Sequence, residues 1–197
     1  MKKTVKIVSL LLIAAMVFSA LACGEVGFRM VSSYEEVQQR FNFDAAPGVV
    51  YPDLSALNFD PATVEYKLWP YRVGDYDAKN KESAVSDYVI YGDSTIGGAN
   101  VDLSFRCCKE LLDAQNIKDP IVYKDVEIAE LDSEYESCFG ASCIAAVNGY
   151  EYTIGALYDS GKLLDSSARE ELYTKLREKM RSFICSIIDE AISENGE

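Results

Sequence analysis

The stretch that most constrains the fold is Ile144-Ala145-Ala146-Val147-Asn148-Gly149-Tyr150-Glu151-Tyr152-Thr153-Ile154. Two runs rich in strand formers flank Asn-Gly, and both turn residues tolerate the positive φ that a type I′ turn requires. The chain is therefore expected to reverse there into an antiparallel hairpin. A lone hairpin is marginal in water and needs more strands, or a helix laid over its apolar face. The C-terminal sequence supplies that helix. Leu172, Leu176, Met180, Phe183, Ile184, Ile187, Ile188 and Ala191 recur at three- and four-residue steps, with Arg169, Glu171, Lys175, Glu178 and Arg181 on the other face. Ser167-x-x-Glu170 is the predicted cap.

Further strand signals precede these two elements. Val64, Tyr66 and Leu68 alternate with Glu65, Lys67 and Trp69 until Pro70. Val85 to Tyr91 is β-branched and aromatic, and Val101, Leu103, Phe105 and Cys107 alternate with Asp102, Ser104 and Arg106. These last two runs form a hairpin with a long connection over Gly92 to Asn100. Ile121 to Leu131 reads as another strand, with an irregularity at Asp125. Ser33-Tyr34-Glu35-Glu36 is a capping box that opens a helix of about two turns to Phe41. Pro47, Pro52 and Pro61 make 44–61 an extended crossing, Asp75 to Ser83 a polar loop, and Lys109 to Gln115 a helical turn or loop. Together they predict an α+β fold: a curved antiparallel sheet of about five to seven strands, a short N-terminal helix, and a long C-terminal amphipathic helix packed on the sheet.

None of this involves the first 22 residues. Lys2, Lys3 and Lys6 precede an almost wholly apolar run from Ile7 to Phe18, and Ser19-Ala20-Leu21-Ala22 then leads into Cys23. Basic, apolar and small, in that order, is the pattern of a secretory signal, and the apolar run is too short to span a bilayer. The Ala20-x-Ala22 pair suits an ordinary signal peptidase. The same stretch resembles the lipobox of bacterial lipoproteins, in which the cysteine after the small residue is lipidated; Ala20 and Leu21 depart from the usual order, which has leucine three before the cysteine. Cys23 is the expected lipidation site, and its acyl chains would give a stable anchor. The expected organisation is a signal peptide over 1–22, a lipidated cysteine and tether over 23–32, and one domain over 33–197 on the outer face of the cell membrane.

Charge narrows the partners. The 197 residues hold 19 basic and 32 acidic side chains, and losing Lys2, Lys3 and Lys6 with the leader brings the net charge to about −16. A field of that sign repels nucleic acid and anionic headgroups, so the membrane is expected to be met only through the anchor. There is no histidine, which removes histidine-activated serine or cysteine nucleophiles and His-containing metal sites.

Several constellations remain. Tyr88-Val89-Ile90-Tyr91-Gly92-Asp93-Ser94 looks like the nucleophile block of GDSL-type esterases, but that chemistry needs a histidine and an early position in the domain. After Cys23 come Cys107, Cys108, Cys138, Cys143 and Cys185, an odd number. Cys138 and Cys143 bracket an apparent loop and form a candidate disulfide; a bridge from Cys107 or Cys108 to one of them, or five separate thiols, are the alternatives. Neighbours in a strand point to opposite faces, so Cys107 and Cys108 cannot share a core. Cys185 falls opposite the apolar stripe. Zinc knuckles need other spacings, no calcium loop is present, and no metal or cofactor is expected. Asp125 with Glu127, Glu130 with Asp132, and Glu134 with Glu136 read as solvated faces rather than glycosidase acids. Tyr66, Tyr88, Tyr91, Tyr123, Tyr150 and Tyr152 lie in predicted strands; on one exposed face they could stack on sugars, and otherwise they fill the core.

The helix Tyr34 to Phe41 leading into Pro47 and Tyr51-Pro52, the strand Val85 to Tyr91, the hairpin Val147-Asn148-Gly149-Tyr150-x-Tyr152 and the helix ending near Ser182 to Ile188 resemble small lipoproteins of Gram-positive bacteria. Those proteins carry a domain of unknown function also found in some anti-sigma-factor-like proteins. The resemblance implies an extracytoplasmic sheet-and-helix domain without known catalysis, and transfers no site residues. The expected function is non-catalytic binding or sensing of a protein, peptide or glycan. The alternatives are an envelope accessory or lipid-cradling scaffold, a glycan-binding module, or a carboxylate-based hydrolase.

Overall fold

Three tight turns set the sheet. Asn148-Gly149, Gly97-Gly98 and Lys124-Asp125 all have positive φ at both central residues, the backbone that matches the right-handed twist of paired strands. The computed structural model describes residues 29–41, 48–70, 85–109, 119–134, 138–159 and 164–194. The leader 1–22, Cys23, most of the tether, Pro47, the loop 75–83, residues 110–118 and Glu136 lie outside the described residues.

Chain order is β1 (Arg29–Val31), α1 (Tyr34–Arg40), a 3₁₀ turn (Leu54–Leu57), β2 (Glu65–Pro70), β3 (Val85–Ile96), β4 (Ala99–Cys108), β5 (Ile121–Tyr123), β6 (Val126–Glu134), β7 (Cys138–Val147), β8 (Tyr150–Asp159) and α2 (Ser166–Glu194). The strands form one open sheet in the order β1-β2-β3-β4-β8-β7-β6-β5, antiparallel throughout. Two four-stranded meanders thus meet along β4 and β8. The α+β expectation holds, with eight strands in place of five to seven. The extra strands are three-residue edges: β1 falls where the tether was expected, and β5 separates from β6 because Lys124-Asp125 makes a true turn. The β3–β4 connection is also tight, since β3 runs straight through Gly92-Asp93-Ser94 to Ile96.

Both helices pack on one face of the sheet. The eight stripe residues of α2 are all buried; Phe183 meets Phe105 edge-on at 5.3 Å and Tyr173 lies 4.6 Å from Phe139. Phe41, at the end of α1, meets Tyr88 at 5.1 Å. The Ser33 hydroxyl accepts from Glu36 N at 3.1 Å, as the capping box requires, but the Glu36 carboxylate reaches one residue further back, to Ser32 N and Oγ, both at 2.7 Å. The cap of α2 is Asp165 rather than Ser167: its carboxylate accepts from Ala168 N at 2.8 Å. Among the described residues no helix is long and apolar enough to cross a membrane.

Strand β6 breaks the usual inside-outside pattern. Ile128 is buried, yet Glu130, Asp132 and Glu134 share its face. They reach arginines of α2: Glu130 takes both forks of Arg181, Asp132 binds Arg177 at 2.5 and 3.1 Å, and Glu134 binds Arg169 at 2.7 Å. From Glu130 to Asp132 the strand advances about 6.7 Å and from Arg181 to Arg177 the helix about 6 Å, so these two rungs keep step, while Glu134 is met by Arg169 two further turns along the helix. Asp132 and Glu134 keep the exposure expected of a solvated face while pairing with α2, as Asp125 and Glu127 stay exposed, and only Glu130 is part-buried in the clamp.

The candidate Cys138–Cys143 bridge is corrected as well. Both thiols are free, and both lie in β7 instead of a loop. Five residues of extended strand separate them by roughly 16 Å and turn them to opposite faces, far beyond disulfide reach.

Candidate functional site

With both helices on one face, the other face of the sheet carries its own side chains, and the pairing register arranges them in rows. One row crosses β3, β4, β8 and β7 as Tyr91, Ser104, Gly155 and Ser142; the next as Asp93, Asp102, Leu157 and Gly140. Small side chains on three adjacent strands leave an open trough of about 830 Å³, which extends to Lys67 on β2 and to Ser133 and Cys138. The volume lies in the range of small-molecule sites.

The floor depends on its two glycines in different ways. A Cβ on Gly155 would stand 3.4 Å from Ser104 Oγ and 3.6 Å from the Ser142 Cβ, in ordinary contact and inside the trough. A Cβ on Gly140 would lie 2.3 Å from the Ala156 carbonyl oxygen. Gly155 therefore keeps the trough deep, whereas Gly140 lets β7 and β8 approach.

The walls differ in character. On one side Lys67 Nζ sits 4.6 Å above the Tyr91 ring and pairs with Glu65 at 2.7 Å. At the end, Asp93 and Asp102 stand directly opposite each other on β3 and β4. Partial burial and then the neighbouring Asp93 charge raise the Asp102 pKa, with Asp159 adding to the effect. Asp93 is fixed by its backbone, as its N–H donates to Thr63 Oγ1 at 2.9 Å. Beyond the trough the same face closes over: Val89, Cys108, Ile144 and Ala129 are buried. There Arg106 holds the buried Asp87 through Nε at 2.9 Å and a terminal nitrogen at 2.6 Å.

The other candidates are distributed elsewhere. Ser94 is buried and donates to the Leu57 carbonyl at 2.7 Å, which makes it a structural tie to the 3₁₀ turn. Of the six strand tyrosines only Tyr91 opens onto the trough. Tyr88, Tyr150 and Tyr152 are core, Tyr66 packs against it, and Tyr123 hydrogen-bonds Asp189 at 3.1 Å beside α2. The described tyrosines form no sugar-stacking stripe. Tyr152 gives its hydroxyl to Val50 N at 2.7 Å as an acceptor. Cys107 and Cys108 are buried on opposite faces, and burial drives the Cys107 thiol pKa up. Cys143 lies on the helix side; burial and then Glu130 push its pKa up to about 12. Cys185 is half-buried at the edge of the core, not opposite the stripe. Among the described residues no group of three Cys, Asp or Glu side chains could hold a metal ion.

A second cavity of about 790 Å³ lies between the Gly97-Gly98 turn and the start of α2. Asn100, Asp159, Glu171 and Lys175 line part of it, beside Tyr158, Leu164 and Leu172. Comparison with known proteins gave no matching family model, no similar curated protein and no similar solved structure.

Proposed function

We propose that this protein is a lipoprotein held by Cys23 at the outer face of a bacterial cytoplasmic membrane, with a domain that binds a small ligand non-catalytically in the sheet trough. The address rests on the basic, apolar and small leader that ends at Cys23. The binding half rests on one observation: three neighbouring strands place serine and glycine where a sheet normally presents bulk, and a Cβ at Gly155 would enter the space. Only five residues separate Cys23 from β1, so a fully extended tether reaches about 20 Å. The sheet edge would then stay close to the headgroups, and the net negative charge would keep the domain from lying on them.

A carboxylate-based hydrolase fits the trough less well. Asp93 and Asp102 stand opposite each other on neighbouring strands and both are exposed, whereas a carboxyl group that serves as general acid is held in an apolar site that keeps its proton on.

Two measurements test the proposal. Metabolic labelling with a fatty acid should mark the wild type and leave Cys23→Ala unlabelled; equal labelling removes the anchor. Native mass spectrometry of protein isolated from its own cells should show a bound small molecule that Gly155→Leu lacks. Identical spectra for the two would remove the trough from the account.

A further inference from the structure

On the helix side of the sheet, three tyrosines stand where phenylalanine would fill the core as well. Tyr88 on β3 and Tyr152 on β8 lie directly opposite Cys107 of β4 in its two ladders, and all three side chains are wholly buried. Cysteine is much the shortest of the three, so this row dips at its centre. Tyr34 of α1 comes down beside it, with its ring 6.3 Å from that of Tyr88.

Two hydroxyls at this place are costly as they stand. Tyr34 Oη and Tyr88 Oη are buried and meet no hydrogen-bond partner among the described residues. They lie close enough to act on each other, and Tyr88 and Tyr152 both act on the Cys107 thiol, yet neither Tyr34 nor Tyr88 reaches hydrogen-bond geometry. Tyr152 Oη is already used once, as acceptor from Val50 N at 2.7 Å. A buried hydroxyl without a partner forfeits the bonds it made in water, a loss that phenylalanine at either position would avoid.

We infer that the protein binds one internal water molecule above Cys107 and beneath α1, where it accepts from Tyr88 and donates to Tyr34. A buried water needs two to four polar partners. The two orphan hydroxyls are the first two, and the Cys107 thiol or the Tyr152 hydroxyl is the third. The site lies on the face of the sheet opposite the trough and does not depend on it. It also explains how α1 is seated: seven residues are too few to hold a helix by themselves, and the water adds a polar tie at Tyr34 to the contact of Phe41 with Tyr88 at the other end.

The experiment uses the full chain carrying Cys23→Ala as its reference. Water-oxygen magnetic relaxation dispersion counts long-lived internal waters, and the pair Tyr34→Phe with Tyr88→Phe should lower that count by one. Tyr123→Phe, which alters a hydroxyl at the far edge of the sheet, should leave it unchanged. Each single phenylalanine should lower the urea midpoint by about 0.5 M, the net worth of an ordinary hydrogen bond divided by the urea slope, and the pair by less than the sum. A count unmoved by the paired substitution overturns the water, and coupled losses of stability at an unchanged count would assign a direct Tyr34–Tyr88 hydrogen bond in its place. Phenylalanine variants as stable as the reference, or more so, would show the hydroxyls to be unbridged and overturn it too.

Discussion

Alanine at Gly140 and alanine at Gly155 should move the stability of this protein in opposite directions, although the two glycines sit on adjacent strands of one trough. At Gly155 the new methyl meets Ser104 Oγ at 3.4 Å and the Ser142 Cβ at 3.6 Å, both ordinary contacts. Nothing has to shift, and the unfolded chain loses the freedom of a glycine, which is worth about 0.5–1 kcal/mol in favour of the fold. At Gly140 the methyl would fall 2.3 Å from the carbonyl oxygen of Ala156 and 3.2 Å from Leu157 Cδ1. The oxygen belongs to a paired strand and cannot swing aside, so β7 and β8 must separate locally. Overpacking of that kind costs about 1–3 kcal/mol, of which the entropy gain offsets a part. The variants should therefore differ by about 2 kcal/mol. With a urea m-value of about 2 kcal/mol/M, their midpoints should stand about 1 M apart on either side of wild type. Equilibrium urea unfolding followed by far-UV circular dichroism reads this directly. Equal shifts, or a larger loss at Gly155, would refute the geometry assigned to the trough floor.

Other consequences follow from the helix clamp, the thiols and the acid side of the stability curve. Glu130→Ala removes the bidentate partner of a half-exposed Arg181 and should cost about 1 kcal/mol in urea unfolding; in a double-mutant cycle with Arg181→Ala the two losses should not add. Iodoacetamide should alkylate the half-buried Cys138 and Cys185 well before the buried Cys107, Cys108 and Cys143, and peptide mapping should find no Cys138–Cys143 disulfide in native protein. The Asp189 pKa is lowered, first by Lys124 and then by Tyr123. Its contribution is present above the ordinary aspartate pKa and is lost as pH falls through the lowered value. Urea midpoints measured from pH 6 to pH 2 should therefore decline less steeply on the acid side in Lys124→Met than in wild type.

How far the sequence reveals this fold depends on how local each signal is. Asn148-Gly149 and the α2 stripe are local, and both appear where the pattern puts them. The turn at Lys124-Asp125 has the same left-handed backbone, with φ of 49° and 65°, but the sequence marks it only as an irregularity at Asp125, so β5 and β6 read as one strand. In β6 the ordinary alternation is inverted: Leu131 is half-exposed while Glu130 and Asp132 turn toward α2. That inversion makes sense only beside Arg177 and Arg181, more than forty residues away. The stretch Phe139-Gly140-Ala141-Ser142 reads as a loop because its residues are small, yet it is strand, and its smallness forms part of the trough. The trough itself is the least visible feature. Ser104, Gly155 and Ser142 become neighbours only because β4 pairs with β8 across the chain, a contact that no local pattern in either strand encodes.

The most direct test of the binding account is an amide NMR titration of the full chain carrying Cys23→Ala with a small-molecule extract of its own cells, read residue by residue. The account predicts that shifts concentrate at Tyr91, Asp102, Ser104, Ser142 and Gly155, while the cavity beside Gly97 and Lys175 stays still. Shifts centred on that second cavity, or a sheet face unmoved by the extract, would contradict it.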